Sequence, residues 1–424
     1  MKFTDILEKI SGTIWGNGLI FLLLSVGLIY TIKLGFIQFK TIPFLISSSG
    51  KSEKHSKKGI SQFRTVCMSL GTAMGTGNIT GVASAIAIGG AGAVFWMWVS
   101  AFLGMALVYA ENYLSASFSM DDTCRGPMAY IEHGLGFKRL AIVFAFFCTA
   151  ASVGMGGMVQ VNSFAVNLSE CVQINPVLLF VVIVTIIFTV VKGGADRISS
   201  AAQLLLPLVT VSYVLVSSAV IFCFRSNILT VFESIFTEAF NFDSAAGGIT
   251  GFAVSKAVSA GIRRGMFSNE AGLGSSPILH SASENRSPQV QGMWSMFEVF
   301  FDTIVCCTIT ALTILTASQG KYTSINESFS HILGNGTNLF LTVSMGIFAF
   351  CTIIGWYFCG ETSFTYIFGT EKRRLFTVLY SILAASGTLF SLSSVWLLSD
   401  IFNGLMAFCN LTALFLLIKH VKRE

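Results

Sequence analysis

Two clusters in this chain carry residue types and spacings that could do chemistry. The first is Gly71-Thr72-Ala73-Met74-Gly75-Thr76-Gly77-Asn78, followed by Gly81, set inside an apolar stretch. Glycine at this density favours a break in helical winding. Inside a bilayer such a break frees N–H and C=O groups that are costly unless paired again. A small carboxylate can accept the freed N–H groups at a half-helix N-terminus, helped by the dipole there. Freed carbonyls, with Thr or Asn oxygens, suit Na⁺. The plain alternative is close helix packing, since Gly71-x-x-x-Gly75 is also a lipid-phase contact pattern. Asn78, the glycine density and a partner break elsewhere favour a site. A phosphate loop does not fit, because no Gly-Lys-Ser/Thr follows.

The second cluster is Gly261, Arg263, Arg264, Gly265, then Ser268-Asn269-Glu270-Ala271-Gly272-Leu273-Gly274. Charges at membrane depth cost roughly 2.5–3.5 kcal/mol on insertion scales and are functional by default. A gate or an ion pair built from Arg264, Ser268, Asn269 and Glu270 is one reading. Snorkelling near the cytoplasmic face is the other. Gln160 follows Gly154, Gly156 and Gly157, and a membrane-buried amide needs a partner, either another helix or a ligand. Thr352 and Trp356 sit one helical turn apart. Trp in mid-span rather than in the interfacial belt could wall a pocket, and the Thr hydroxyl could bind an ion; core packing explains either residue alone. Glu111, Glu298, Asp302, Glu361 and Asp400 fall inside or at the ends of apolar runs, where carboxyls can relay protons.

Enzyme chemistry finds little support. His55, His133, His280, His331 and His420 are scattered, giving neither haem nor zinc spacing. The ten Cys residues lie mostly in apolar runs, without a C-x-x-C pair, and behave there as small hydrophobes. No Gly-x-Ser-x-Gly elbow occurs.

The elements that hold these residues follow from composition. Of 424 residues 53% are apolar and 11% charged, with 26 Lys and Arg against 21 Asp and Glu. Mean hydropathy is +0.74. Soluble domains are about a quarter charged, so this composition builds an all-α polytopic membrane protein. Phe (39) and Gly (40) suit lipid-facing helices that approach one another closely. A span needs roughly 20 apolar residues, and eleven windows qualify: 15–35, 63–90, 91–118, 139–168, 175–192, 196–224, 247–280, 289–317, 336–368, 374–391 and 394–418. The runs are too long and continuous for a β-barrel. Asp5 and Glu8 spoil the basic region of a signal peptide, so no cleaved leader is expected.

Lys33, Lys40, Lys51, Lys54, Lys57, Lys58 and Arg64 follow span 1. Arg125, Lys138 and Arg139 follow span 3; Lys192 and Arg197 follow span 5; Arg286 follows span 7. Lys372, Arg373 and Arg374 follow span 9, and Lys419, Lys422 and Arg423 follow span 11. The opposite loops carry little beyond Arg225 and Lys321. The positive-inside rule then puts the N-terminus outside and the C-terminus in the cytoplasm of a cell-membrane protein. The net charge of +5 marks loop sidedness, not nucleic-acid binding. Spans 2 and 7 are overlong, glycine-rich and five spans apart, so they face the membrane in opposite senses. Interrupted helices at matching places in two halves point to an inverted-repeat transporter. The chain is expected to be one transporter domain, 1–424, with 63–224 and 247–418 as the two repeats and 15–35 as an added helix.

The chain resembles the alanine or glycine:cation symporters of the amino acid–polyamine–organocation superfamily. The resemblance rests on Gly75-Thr76-Gly77-Asn78-Ile79-Thr80-Gly81-Val82, Gly92-Ala93-Val94-Phe95-Trp96-Met97-Trp98, the string Arg264 to Gly274, and Gly355-Trp356. Gly126-Pro127-Met128-Ala129-Tyr130 with Gly134-Leu135-Gly136, and Gln160-Val161-Asn162-Ser163, echo it more weakly. It implies a leucine-transporter-like fold of two inverted five-helix repeats around a midplane site. It also implies that Thr76 and Gly77 receive the substrate carboxylate through backbone N–H groups, with Gln160, Thr352 and Trp356 lining the pocket. One Na⁺ would lie on the carbonyls of Gly71 and Met74 with Thr352 and Cys351, and Ala73 and Asn78 would serve a second. Cys351 stands where Ser is usual, and a thiol is a poor Na⁺ ligand. Ala91 replaces the usual Pro, and Thr80 an Ala.

The expected function is secondary active symport of a small neutral amino acid, alanine or glycine, with Na⁺ as the coupling ion. Proton coupling through Glu298, Asp302 or Asp400 is the alternative within transport. A channel or receptor without coupled transport is the alternative of another class.

Overall fold

The computed structural model describes residues 3–48, 59–120, 123–240, 256–318, 322 and 324–422. Lys51, Lys54, Lys57, Lys58, Lys321, Arg423 and the first part of span 7 (247–255) lie outside the described residues.

The described chain is helical, with one isolated backbone bridge between Ile60 and Ser283. The first helices are α1 (Phe3–Ile14), α2 (Asn17–Lys33), α3 (Thr41–Ser48), α4 (Gln62–Ala73), α5 (Thr80–Gly89) and α6 (Gly92–Phe118). They are followed by α7 (Pro127–Ala129), α8 (Lys138–Ala151), α9 (Gln160–Cys171), α10 (Pro176–Val191), α11 (Gly194–Cys223) and α12 (Ile228–Ala239). Then come α13 (Lys256–Asn269), α14 (Ser276–His280), α15 (Pro288–Val299), α16 (Thr308–Ala317) and α17 (Ile325–Leu333). The last three are α18 (Thr337–Phe368), α19 (Arg373–Ala385) and α20 (Leu392–Leu416).

Seven continuous helical stretches among the described residues are long and apolar enough to cross a membrane: Asp5–Lys33, Gly92–Phe118, Lys138–Cys171, Gly194–Cys223, Pro288–Ala317, Ile325–Phe368 and Ser393–Leu416. The other four windows hold shorter helices. Window 63–90 is split into α4 and α5, and the described part of window 247–280 into α13 and α14. Window 175–192 holds the 16 residues of α10, and window 374–391 the 13 of α19 with a 3₁₀ turn at Ser386–Leu389. Helices α1, α3, α12 and α17 fall outside or at the margins of the windows. Charged residues such as Glu8 in α1, Glu233 in α12 and Glu327 in α17 keep these three from reading as uniform apolar runs, and α3 is only eight residues long.

Helix starts follow local chemistry. Asn175 accepts from the Val177 N–H at 2.9 Å ahead of Pro176, and Ser324 accepts from the Glu327 N–H at 3.1 Å. Each satisfies one of the orphan donors of a first turn. Helix α6 is central, with 72% of its apolar window buried, whereas α11 is peripheral at 33%. On α11, Leu204, Leu208, Val211 and Leu215 are exposed at helical spacing, an apolar stripe suited to lipid. Helices α6 and α13 approach closely where glycines remove side chains. A Cβ at Gly261 would strike the Ala93 carbonyl, and one at Gly104 would lie 2.7 Å from the Ala271 Cβ.

Candidate functional site

The interior is organised by two helix breaks. In the first, α4 ends at Ala73, Met74 leaves helical geometry, and Gly75 is extended (φ −101°, ψ −155°). A 3₁₀ turn, Thr76–Asn78, leads into α5. The freed groups find side-chain partners. The Thr76 N–H and hydroxyl both donate to Gln160 Oε1 at 3.0 Å, and the Gly71 carbonyl accepts from Thr352 Oγ1 at 3.1 Å. Gly75 is the residue that lets these groups converge: a Cβ there would lie 2.6 Å from Thr352 Oγ1 and 2.8 Å from Gln160 Oε1. An acceptor on a freed half-helix N–H beside a hydroxyl is the arrangement a carboxylate would use.

Gln160 follows a π-helical turn, Ser152–Val159, and its Nε2 donates to the Met155 carbonyl at 3.1 Å. Such turns shift the register of a helix face and occur often at functional sites. Gly156 in that turn faces Trp356, where an added Cβ would collide with the Trp356 Cβ and the start of its ring. Cys351 faces Gly71, whose added Cβ would sit 3.3 Å from the Cys351 Cβ. The Ala73 carbonyl is engaged by the Gly75 N–H at 2.8 Å, and Met74 is buried.

Asn78 belongs to a neighbouring cluster. Its Nδ2 donates to Asp302 Oδ1 at 2.7 Å, and Ser268 Oγ lies 2.7 Å from Asp302 Oδ2 and 3.3 Å from Asn78 Oδ1. Thr303 Oγ1 donates to Asp302 Oδ2 at 2.8 Å, and Asn269 Nδ2 to Thr303 Oγ1 at 3.2 Å. Asp302 lies in a second π-helical turn, Phe300–Cys307, and is fully buried. Oxygen ligands with one carboxylate are what a small hard cation requires.

The second break follows Asn269. Glu270 takes a left-handed conformation (φ 56°), as do Gly272 and Gly274 (both φ 86°). That conformation is costly for Glu and free for Gly. Side chains hold it: Asn269 Oδ1 accepts from the Ala271 N–H at 3.0 Å, and the Glu270 carboxylate accepts from Ser275 Oγ and, at 2.7 Å, from Trp356 Nε1. The string from Ser268 to Gly274 is thus a shaped unwound turn.

Polar layers flank this interior. At one end Arg263 pairs with Asp400 at 3.0 Å, and Arg264 lies over the Trp396 ring at 4.3 Å. Phe267 packs on Trp396 with centroids 4.6 Å apart and covers Gly77, whose Cβ would lie 3.2 Å from its ring. A cavity of about 600 Å³ outside this layer is lined by Thr80, Ser84, Ser163, Asn167, Arg264 and Trp396. At the other end His280 bonds Glu298 at 2.9 Å and Gln291 at 2.6 Å, and Ser69 donates to Glu298 at 2.6 Å. A cavity of about 460 Å³ there is lined by Asn112, Ser115, His280, Asn285, Arg286 and Gln291 among others.

The expected residues therefore gather in two adjoining groups. Thr76, Gln160 and Thr352 meet at Gly75, with Gly77 in the same turn, and Thr352 and Cys351 both face Gly71. Asn78 and Ser268 meet at Asp302. Trp356 joins the first group to the second break through Glu270, while Arg264 stands apart under Trp396. Phe267 and Trp396 were not singled out from the sequence, and Asp302 was read there only as a proton carrier. The signal for Asp302 was its being an acid in an apolar run.

Long apolar helices wrapped around unwound, oxygen-lined turns define a helical membrane protein of the transporter class. The Sodium:alanine symporter family matches over residues 1–424, and the chain belongs to that family. It is similar to an uncharacterized transporter of Haemophilus influenzae, 39% identical over 100% of this chain and 96% of that one. The sodium/alanine symporter AgcS of Methanococcus maripaludis is 36% identical over 98% and 95% of the two chains. A Bacillus subtilis relative named "Probable sodium/glutamine symporter GlnT" is 35% identical over 98% and 90%. The family is one of amino acid symporters, not of enzymes.

Proposed function

We propose that this protein couples Na⁺ entry to uptake of a small neutral amino acid, alanine or glycine, by alternating access. The observation that carries the reading is the meeting of the Thr76 N–H, the Gln160 amide and the Thr352 hydroxyl at Gly75. The substrate carboxylate replaces the Gln160 oxygen on the freed N–H groups of Thr76 and Gly77. Gln160, Thr352 and Trp356 then line the pocket. One Na⁺ is held by the carbonyls of Gly71 and Met74 with Thr352 and Cys351. A second lies at Ala73 and Asn78, where Asp302 and Ser268 complete the oxygen set. Eleven spans, with 63–224 and 247–418 as inverted five-helix repeats and 15–35 outside them, supply the two-sided access this requires. The positive-inside rule puts the N-terminus outside, so the Arg264–Trp396 layer faces outward and the His280–Glu298 layer faces the cytoplasm. Arg264, with Ser268, Asn269 and Glu270 shaping the unwound turn beneath it, forms the gate.

Energetics allow uphill uptake. One charge crossing about 100 mV releases roughly 2.3 kcal/mol and a tenfold ion gradient about 1.4 kcal/mol more, enough for a several-hundredfold substrate gradient. The close quarters at Gly75 and the bulk of Trp356 favour small substrates. GlnT carries a longer substrate in its name, so competition by leucine and glutamine against alanine is the size test.

A second reading, proton coupling, is favoured by one feature: among the described residues Asp302 has no basic partner, whereas Asp400 pairs with Arg263 and Glu298 bonds His280. Uptake of alanine into proteoliposomes, with a Na⁺ gradient and a pH gradient imposed separately, decides between them. Accumulation driven by Na⁺ alone is the expected result. Saturable uphill accumulation also excludes a channel or receptor.

A further inference from the structure

Behind the second break lies a fully buried carboxyl that the reading above does not use. Glu111, on α6, accepts from Asn410 Nδ2 of α20 through Oε1 at 2.6 Å. The same Asn410 Nδ2 donates to the Gly272 carbonyl at 2.9 Å, and Asn410 Oδ1 accepts from Tyr130 OH. Glu111 Oε2 has no hydrogen-bonding partner among the described residues. The N–H groups of Gly272 and Gly274 lie beside the carboxyl without closing a bond on Oε2.

The groups facing it carry no positive charge. They are the Tyr30 phenol of α2, the Tyr130 phenol and the Glu270 carboxylate, which is itself within electrostatic reach of Cys148, Cys359, Glu298 and Asp302. The bases nearby are spent elsewhere: Arg263 and Arg264 on Asp400, His280 on Glu298, Arg373 on Glu361. Two like charges in each other's field, away from water and without a counter-ion, are not tolerated together. Glu270 has two donors, the Ser275 hydroxyl and the Trp356 N–H, and so suits the charged form. Glu111 has the Asn410 amide as its one side-chain donor, with the Gly272 and Gly274 N–H groups beside it, and its Oε2 closes no hydrogen bond.

We infer that Glu111 is an exchangeable proton-binding site, which holds the unwound Glu270–Gly274 turn docked against α6 while the proton is bound. Binding forms one O–H bond at Oε2 and breaks one O–H bond of a hydronium ion, which leaves as water; no oxidation state changes. The next residue, Asn112, lines the cavity on the His280 side, from which a proton would enter. Asn112 Nδ2 bonds Ser276 Oγ at 3.0 Å, next to the Ser275 that holds Glu270. Loss of the proton sets two charges against each other across the turn and loosens the Glu270 grip on Trp356. The proton therefore acts on the substrate pocket from behind, a consequence that rests on the pocket assigned above.

Two readouts separate the site from that reading. Infrared difference spectroscopy of the purified full-length protein in lipid vesicles should show a carboxylic C=O band at neutral pH that bleaches in alkali. Glu111→Gln should lack it, and Glu111→Asp should shift it. Should Glu111→Gln fail to fold, the Glu111→Asp shift decides. In proteoliposomes with equal pH on both sides and saturating Na⁺, wild-type alanine uptake should fall several-fold as the medium turns alkaline, while Glu111→Gln stays level at the wild-type neutral rate. A band untouched by either substitution, or a Glu111→Gln profile that tracks wild type, overturns the inference. Absence of alanine uptake in wild type would count against the transport reading alone, leaving the infrared result to decide the proton site.

Discussion

The indole N–H of Trp356 meets Glu270 Oε1 at 2.7 Å, across 86 residues of sequence. This contact ties a wall of the proposed substrate pocket to the left-handed residue that unwinds the second broken helix. Glu270 is strained in that conformation and Trp356 is fully buried, so each fixes the other. Trp356→Phe keeps an aromatic ring but loses part of the bulk and the donor, leaving a buried acceptor short of one bond at a cost of about 1–3 kcal/mol. We expect the half-saturating alanine concentration to rise about tenfold, the kinetic equivalent of about 1.4 kcal/mol. Trp356→Ala should raise it further. Initial-rate uptake over a range of alanine concentrations measures both.

Gln160 offers a different test, since its oxygen sits on the Thr76 N–H that the substrate is proposed to occupy. Gln160→Ala removes a pocket ligand and should raise the half-saturating alanine concentration about tenfold at unchanged Na⁺ affinity. Gln160→Glu would set a carboxylate against the carboxylate of the substrate and should abolish uptake. Wild-type kinetics in Gln160→Ala would show that the pocket has been misplaced.

Gly75→Ala tests the crowding at the break. Its methyl would lie 2.6 Å from Thr352 Oγ1 and 2.8 Å from Gln160 Oε1. The φ of −101° is open to any residue, so the obstacle is the Thr352 hydroxyl and the Gln160 amide, which must move aside and thereby distort the proposed pocket. We expect a folded, membrane-inserted protein, monodisperse on size exclusion, with alanine uptake lost.

Much of this site was legible because its signals are local. Gly71 to Asn78 concentrates six glycine or polar residues in eight, and the Asn269–Glu270 pair places polar groups where an apolar span should run. Thr352 and Trp356 show themselves by a spacing of one turn. What was not legible depends on register or on distance. Asp302 meets Asn78 across 224 residues, and the π-helical turn at Phe300–Cys307 rotates it inward in a way that a strict helical period does not foresee. Glu111 could be seen as an acid in an apolar run, but nothing nearby in sequence names Asn410 or Tyr130 as its neighbours. Two of the eleven windows hold helices of 16 and 13 residues because an apolar run sets where a helix can lie, while capping residues and turns set where it stops.

At the Asn78 cluster the charge of Asp302 should matter for the ion and not for the amino acid. Asp302→Asn removes the negative charge but keeps the shape and can still accept from Asn78 through Oδ1. Its amide N–H donates to the Ser268 hydroxyl in place of the bond that Oδ2 accepted. Both Asn78→Ala and Asp302→Asn are expected to raise the half-saturating Na⁺ concentration about tenfold or more, with alanine kinetics close to wild type once Na⁺ is saturating. A shift confined to the alanine dependence would move this cluster from the ion to the substrate.

Cys351 gives the one substitution expected to improve the protein. It faces Gly71, whose carbonyl already takes the Thr352 hydroxyl at 3.1 Å, so its side chain stands at the rim of the first proposed Na⁺ position. Sulfur is a soft, weak ligand for Na⁺, whereas a serine oxygen of nearly the same size is a hard one. Cys351→Ser exchanges one for the other without new bulk, and the helix tolerates either residue. The half-saturating Na⁺ concentration should drop several-fold, while the alanine dependence at saturating Na⁺ stays as it was. Because a misplaced or merely structural residue has no reason to sharpen ion binding, a gain is more telling than a loss at this position. An unchanged or weaker Na⁺ dependence in Cys351→Ser would place the ion away from α18 and leave the Gly71 carbonyl bonded to Thr352 for structural reasons alone.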